Sequence, residues 1–310
     1  MRGEPGAKRG ATPMELRQLG GTDMRVSVLG FGGAEIGFEK AEPEAVARLL
    51  DGALDAGLNV IDTAECYLAS EELIGRAVSR RRGDYHLFTK CGHPDAPGVE
   101  DWRPESLLAS IERSLKRLKT DCVDLVQLHS CSEAELRKGD VIAALQKARE
   151  KGFTRYVGYS GDGGAAKFAI ECGAFDTLQT SISIADQEAI DLTLPLARER
   201  NVGVIVKRPI ANAAWRYSSK PELAYHQTYW ERLQTLDYDF LKDPARAASV
   251  ALRFTLGLPG VHTAIVGTTK PDRWRQNATL LAAGPLPKDE SEAIRSRWRA
   301  VADASWTGQT

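Results

Sequence analysis

Short apolar runs alternate along the chain with longer stretches in which apolar residues recur at helical spacing. Asn59-Val60-Ile61, Leu87-Phe88-Thr89, Val123-Asp124-Leu125-Val126-Gln127-Leu128, Tyr156-Val157-Gly158-Tyr159, Thr177-Leu178-Gln179-Thr180, Val202-Gly203-Val204-Ile205-Val206 and Thr263-Ala264-Ile265-Val266 read as buried strands. Pro43 opens a helix that carries Val46, Leu49, Leu50, Ala53 and Leu54 on one face and stops at Gly57. Pro104 opens another, striped by Leu107, Leu108, Ile111, Leu115 and Leu118. Further helices are predicted from Ser70, through Val141, Leu145 and Ala148, and near residues 165–170, 188–200 and 244–256.

Counting a strand over residues 26–31, eight strands are each separated from the next by a helix. Buried parallel strands joined by helical crossovers predict an α/β fold, a closed (β/α)8 TIM barrel. Residues 15–29 around Gly20-Gly21-Thr22-Asp23 predict an N-terminal β-hairpin, and 287–302 an extra C-terminal helix followed by a disordered 305–310. Residues 1–13 hold Arg2, Lys8 and Arg9 among glycines and prolines without an apolar core, and are expected to be a disordered extension. No break in composition divides 14–310, which predicts one barrel domain; a chain of 310 residues suits that size.

Composition narrows the function. With 43% hydrophobic and 27% charged residues the chain can bury a large core, and no apolar run approaches the roughly 18 residues of a membrane helix. Forty-one Lys and Arg balance 42 Asp and Glu, so nothing draws the whole molecule to nucleic acid or an acidic membrane. Five cysteines, an odd number without paired spacing, predict reduced thiols and a cytoplasmic setting. Cys66 and Cys91 flank the region considered next and could be redox-sensitive, although cysteine is more often a small buried residue.

Three successive strands end at ionisable residues: Asp62 with Tyr67 five residues later, Lys90, and His129. Barrels of this class keep their chemistry at the C-terminal ends of the strands, where these four would meet. Alone, each has a structural reading, such as a turn cap, a core tyrosine, a solvated lysine or a satisfied core histidine. Together they form a proton-transfer set: a tyrosine near pKa 10 needs help to act as an acid, which a lysine fixed by an aspartate supplies, while a histidine orients the substrate oxygen. One carboxylate, one imidazole and a cationic lysine make a poor metal site, so no metal is expected.

These stretches, together with Leu29-Gly30-Phe31-Gly32-Gly33, Ser70-Glu71, Gly158-Tyr159-Ser160 and Gly267-Thr268-Thr269-Lys270, resemble the aldo-keto reductase family over about residues 15–283. The resemblance implies reduction of an aldehyde or ketone by NADPH, with Tyr67 as proton donor, Lys90 and Asp62 tuning it and His129 orienting the carbonyl. It also implies a glycine-lined approach at Gly32 and Gly33, and Ser160 and Gln179 as partners of the nicotinamide amide. Arg208, Pro209 and Ile210 would follow the seventh strand. Gly267, Thr268, Lys270, Arg273, Gln276 and Asn277 would hold the adenosine end, with NADP(H) preferred over NAD(H) because a guanidinium near a helix start suits a phosphate. Two departures stand out: Gly161 replaces the family's common asparagine, and the seventh strand ends without the usual aromatic. Gly161-Asp162-Gly163-Gly164-Ala165-Ala166 fits a dinucleotide fingerprint formally, but no acidic residue ends the next strand, so it is read as a barrel loop.

Between Pro209 and Lys242 lie seven of the chain's 22 aromatics. A connection this long on the catalytic rim is expected to cover or line a pocket, with Trp215, and Trp102 across the mouth, shaping an apolar substrate site. A small carbonyl compound is the expected partner of a monomer. The alternative is a nicotinamide-binding regulatory or redox-sensor subunit with little turnover.

Overall fold

The computed structural model describes residues 14–94 and 98–309. The expected extension over 1–13 lies outside the described residues. The N-terminal hairpin pairs β1 (Leu16–Gln18) with β2 (Arg25–Ser27) antiparallel. Eight parallel strands then close a barrel: β3 (Leu29–Gly32), β4 (Val60–Asp62), β5 (His86–Cys91), β6 (Val123–His129), β7 (Thr154–Ser160), β8 (Thr177–Ser181), β9 (Gly203–Lys207) and β10 (Thr263–Gly267), with β10 pairing back to β3. The (β/α)8 TIM barrel read from the alternating pattern is therefore the fold. The run expected as one strand over 26–31 is two, because Ser27 ends the hairpin and Leu29 starts the barrel.

The period of two along each strand sorts the core into two parts. Outward residues such as Ile61, Leu87, Val126, Leu128, Val204 and Val206 join the apolar stripes of the surrounding helices in one large cluster. Inward residues Val60, Phe88, Leu125, Ile205 and Ile265 form a separate cluster with Leu19, Met24 and Val26 of the hairpin, which stoppers the N-terminal end. One pleat further along the same inner face the residues turn polar: Asp62 follows Val60, Lys90 follows Phe88, Gln127 follows Leu125 and Lys207 follows Ile205. The interior is thus apolar at the stoppered end and polar at the other.

The expected helices are present, with Pro43 and Pro104 at first turns and Gly57 in a left-handed conformation behind the first. The aromatic connection after β9 contains a helix, Ala224–Leu236, that sequence periodicity did not announce. The extra C-terminal helix is Lys288–Val301. Beyond it the chain does not trail away as expected: Trp306 packs at the edge of Trp298, and residues up to Gln309 hydrogen-bond to the barrel. Among the described residues no helix is long and apolar enough to cross a membrane.

Leu19 is fully buried in the stopper. Leu19→Ala is expected to cost about 2–5 kcal/mol by cavity formation, read from the urea midpoint. An unshifted midpoint would show that the hairpin does not share the barrel's core.

Candidate active site

Asp62 ends β4, and the following turn is tied down at almost every residue. Thr63 N–H donates to the Phe88 carbonyl (2.9 Å), Glu65 N–H to that of Lys90 (3.3 Å) and Tyr67 N–H to that of Ala64 (3.1 Å). The Ser70 hydroxyl bridges Thr63 and the Gly33 carbonyl. Gly37 is required by close approach: a Cβ there would lie 1.9 Å from the Tyr67 carbonyl oxygen. Leu68 then turns left-handed (φ 51°), fixing the direction in which Tyr67 leaves. A phenol on such a turn has little freedom to wander.

The Asp62 carboxylate is the hub of the inner face. Lys90 Nζ donates to Oδ2 at 2.6 Å, and the Gln179 and Gln127 amides donate to Oδ1 at 2.9 and 3.3 Å. Lys90 also donates to the Thr63 carbonyl (2.9 Å) and is almost wholly buried with its partner. The Ser160 hydroxyl meets Gln179 Oε1 at 3.1 Å. Lys90 and Gln127 stand in register, as do His129 and Ser160, and Ser160 and Gln179, so adjacent strands deliver these groups to one level. Gln127, absent from the predicted set, belongs to it; its position two residues before His129 on the same strand was the available signal.

Tyr67 and His129 lie against this hub. Their rings meet edge to face at 5.7 Å, and Lys90 Nζ stands 5.0 Å from the centre of the phenol ring. The four predicted residues therefore converge. Their electrostatics differ from expectation: burial raises the phenol well above its usual pKa, with Asp62 and Cys66 adding to the effect. The ammonium spends its hydrogen bonds on Asp62 and Thr63. His129 is pushed the other way, well below its usual value, by burial and by the nearby Lys90, His93, Lys207 and Arg208. It is neutral near pH 7, with Nδ1 3.5 Å from Cys66 Sγ. Burial also lifts the Cys66 thiol to about 11, which argues against a reactive thiolate.

The predicted cofactor residues fall on the same rim. Gly32 and Gly267 face each other in register across the seam between β3 and β10. Beside it, Gly33 donates its N–H to the Asp62 carbonyl (2.7 Å) and has no room for a Cβ against Ser70. Glu35, missed in the sequence, lies against Gly267; burial raises its pKa toward the neutral form. After β9 the backbone is strained: Arg208, Ala211, Asn212 and Ala213 all have positive φ, a conformation kept where function demands it. Within that loop Pro209 is anchored through its carbonyl to Thr255 (3.2 Å), with Ile210 half-buried next to it. Lys207, the last residue of the strand that ends without the usual aromatic, pairs with Asp162 at 2.8 Å. Burial alone would raise the Asp162 carboxyl, but Lys207, Thr180 and Ser181 hold it below its ordinary value. Asp162 is the loop residue of the rejected dinucleotide fingerprint, and it faces this pair. Gly161 carries no side chain because the Tyr159 ring fills that space: a Cβ would lie 2.4 Å from the phenol oxygen.

Beyond β10, Thr268 accepts from Lys270 N–H, and Arg273 opens the helix Arg273–Leu281, on which Asn277 is buried and Gln276 exposed. Two facing glycines, a hydroxyl and amide pair, and cations at Arg208, Lys270 and Arg273 fit a dinucleotide with anionic phosphates. Among the described residues no cluster of His, Cys, Asp or Glu is arranged to hold a metal ion.

Trp102 reaches the mouth through His93, whose ring it meets at 5.5 Å and whose Nε2 lies 2.6 Å from the His129 carbonyl. Trp215 sits in the turn Ala211–Arg216, half-buried against the outer core. Most rings of its connection do structural work: Tyr229 donates to Asp186 (3.0 Å), Trp230 to the Tyr217 carbonyl (3.0 Å) and Tyr238 to the Ile184 carbonyl (3.2 Å). Tyr225 is the ring that reaches the site, under Arg208 at 5.4 Å.

Comparison with known proteins agrees with this geometry. The sequence profile described as the aldo/keto reductase family matches residues 28–299. The uncharacterised oxidoreductase YqkF of Bacillus subtilis is 29% identical over 302 residues, covering 91% of this chain and 96% of its own. L-galactose dehydrogenase of Arabidopsis thaliana is 29% identical over 298 residues, covering 87% and 89%. The holo form of aldo-keto reductase AKR11C1 from Bacillus halodurans superimposes with a TM-score of 0.81 at 28% identity, over 94% of this chain and 99% of that one.

Removing one member of a buried ion pair leaves the other uncompensated. Lys90→Met is expected to destabilise the fold by about 3–5 kcal/mol, and adding Asp62→Asn should restore most of it; denaturant titration of both variants measures this. A double variant no more stable than Lys90→Met would show that the two groups are not coupled.

Proposed function

The chain belongs to the aldo/keto reductase family and is an oxidoreductase of carbonyl chemistry; from that premise we propose that it uses NADPH to reduce an aldehyde or ketone to the alcohol, with Tyr67 as general acid. The observation that carries this reading is the convergence of Tyr67 and His129 on the Lys90–Asp62 pair at the open end of the barrel. NADPH supplies the hydride. The remaining steps belong to the chain's own residues.

His129, neutral, orients the carbonyl oxygen by a hydrogen bond from its ring. Tyr67 gives its proton to that oxygen as negative charge gathers there. An alkoxide is about as basic as hydroxide, far more so than a phenolate, so even a reluctant phenol yields its proton. Lys90, beside the ring, then stabilises the phenolate, and Asp62 holds Lys90 in place. Ser160 and Gln179 fix the nicotinamide amide. Arg208 serves the phosphates, as do Lys270 and Arg273 at the helix start, where the extra phosphate of NADP(H) over NAD(H) finds its partner.

The substrate reading follows from the surface. Apart from Leu16, the large apolar residues left exposed among the described residues are Phe38, Leu68, Val99, Leu223 and Tyr225. All five lie on connections leaving the polar end of the barrel strands, and Phe38 touches Tyr67 edge to face at 5.7 Å. With Trp102 they form a collar that favours a carbonyl compound with an apolar body over a sugar, despite the likeness to L-galactose dehydrogenase. We take residues 14–310 as one domain acting as a cytoplasmic monomer, without nucleic-acid or membrane partners.

Tyr67→Phe should lower kcat for small aldehydes by 10²-fold or more while NADPH still binds; NADPH oxidation followed by absorbance measures it. Binding without turnover in the unaltered chain would point to a sensor instead. Because the phenol is raised above 10 and His129 lowered beneath 6.5, both are in their working forms throughout that interval. Reduction should therefore run flat between those pH values, and alcohol oxidation, which needs the phenolate, should climb with pH. A titration limb in kcat for reduction within that window would remove one of the two assignments. Arg273→Ala should weaken NADP but not NAD; equal loss for both would end the phosphate assignment.

A further inference from the structure

The C-terminal tail lies on the catalytic rim. Gly308 N–H donates to Glu188 (3.3 Å), and Arg232, itself buried beneath Trp306, donates to the Thr307 carbonyl (2.9 Å). The last described residue, Gln309, offers its carbonyl oxygen to Lys207 Nζ (2.9 Å), to the Ser181 hydroxyl (3.3 Å) and to the Arg208 guanidinium. Three donors, two of them cationic, therefore converge on one neutral oxygen.

That oxygen is a poor match for its surroundings. Lys207 has a carboxylate partner in Asp162, whereas Arg208 meets Ser181, Gln309 and Tyr225 and feels Asp162 only at longer range. A guanidinium held in a strained loop with no carboxylate in contact among the described residues is suited to an anion that comes and goes. The tail is held mainly through its backbone groups, and Gly308 is pressed onto Asp162, where a Cβ would lie 2.2 Å from the carboxylate carbon. Any side chain at that position would lift the strap.

We infer that residues 303–309 are an autoinhibitory strap that covers the Lys207–Arg208 cations in the free chain and must leave before the phosphates of a dinucleotide can reach them. The inference rests on the dinucleotide reading above. Its cost to affinity follows from occupancy: a strap closed nine parts in ten of the time weakens apparent binding about tenfold.

Gly308→Val in the full-length chain tests this, beside a chain stopped after Trp306. NADPH fluorescence titration should give a dissociation constant about tenfold lower for both than for the unaltered protein, with kcat unchanged, and inorganic pyrophosphate should compete more strongly in both. In the unaltered chain, saturating NADPH should speed hydrogen exchange at residues 303–309, a readout that does not depend on how the variants fold. Equal NADPH affinity in all three proteins, weaker binding in the variants, or slower tail exchange with NADPH each overturns the strap while leaving the dinucleotide reading intact. Absence of NADPH binding in all three overturns both.

Discussion

A lysine ammonium and an aspartate carboxylate shut away from water, 2.6 Å apart, organise this molecule. Neither charge is tolerable alone in a barrel interior, and their attraction offsets desolvation only because each is also satisfied by other partners. Lys90 takes the Thr63 carbonyl, and Asp62 takes two glutamine amides, one from β6 and one from β8. The pair thereby fixes the positions of β4, β5, β6 and β8 at one level. Tyr67 and His129 inherit their places from that arrangement.

The same interior sets the state of each proton. Burial, and after it the positive charge nearby, keeps His129 neutral, whereas burial and then the negative charge of Asp62 keep the proton on the phenol. A tyrosine and a histidine with ordinary solution pKa values near 10 and 6.5 are thus driven apart by their surroundings. The lysine ammonium is committed to Asp62 and to a backbone carbonyl and stands 5.0 Å from the centre of the phenol ring.

The barrel was readable because buried strands and amphipathic helices leave different periods in the sequence, and because Pro43, Pro104 and Gly57 mark helix ends by their own stereochemistry. The four converging residues were readable because three strands stop at, or just before, ionisable groups. Gln127 was overlooked since a glutamine within an apolar run looks like any buried polar residue until its neighbours are known. The helix Ala224–Leu236 escaped because its inward residues, Tyr229, Arg232, Leu233 and Leu236, mix polar with apolar. The ordered tail escaped for a related reason: its partners are backbone groups and distant cations, which leave no local pattern. Asp162 looked like part of a glycine-rich turn, and only the closed sheet brings it to Lys207.

The hairpin that fills the base of the barrel with Leu19, Met24 and Val26 has an effect on traffic. With the inward Val60, Phe88, Leu125, Ile205 and Ile265 these three side chains pack that end solid, so the polar groups of the inner face are reached from the opposite rim and not through the barrel.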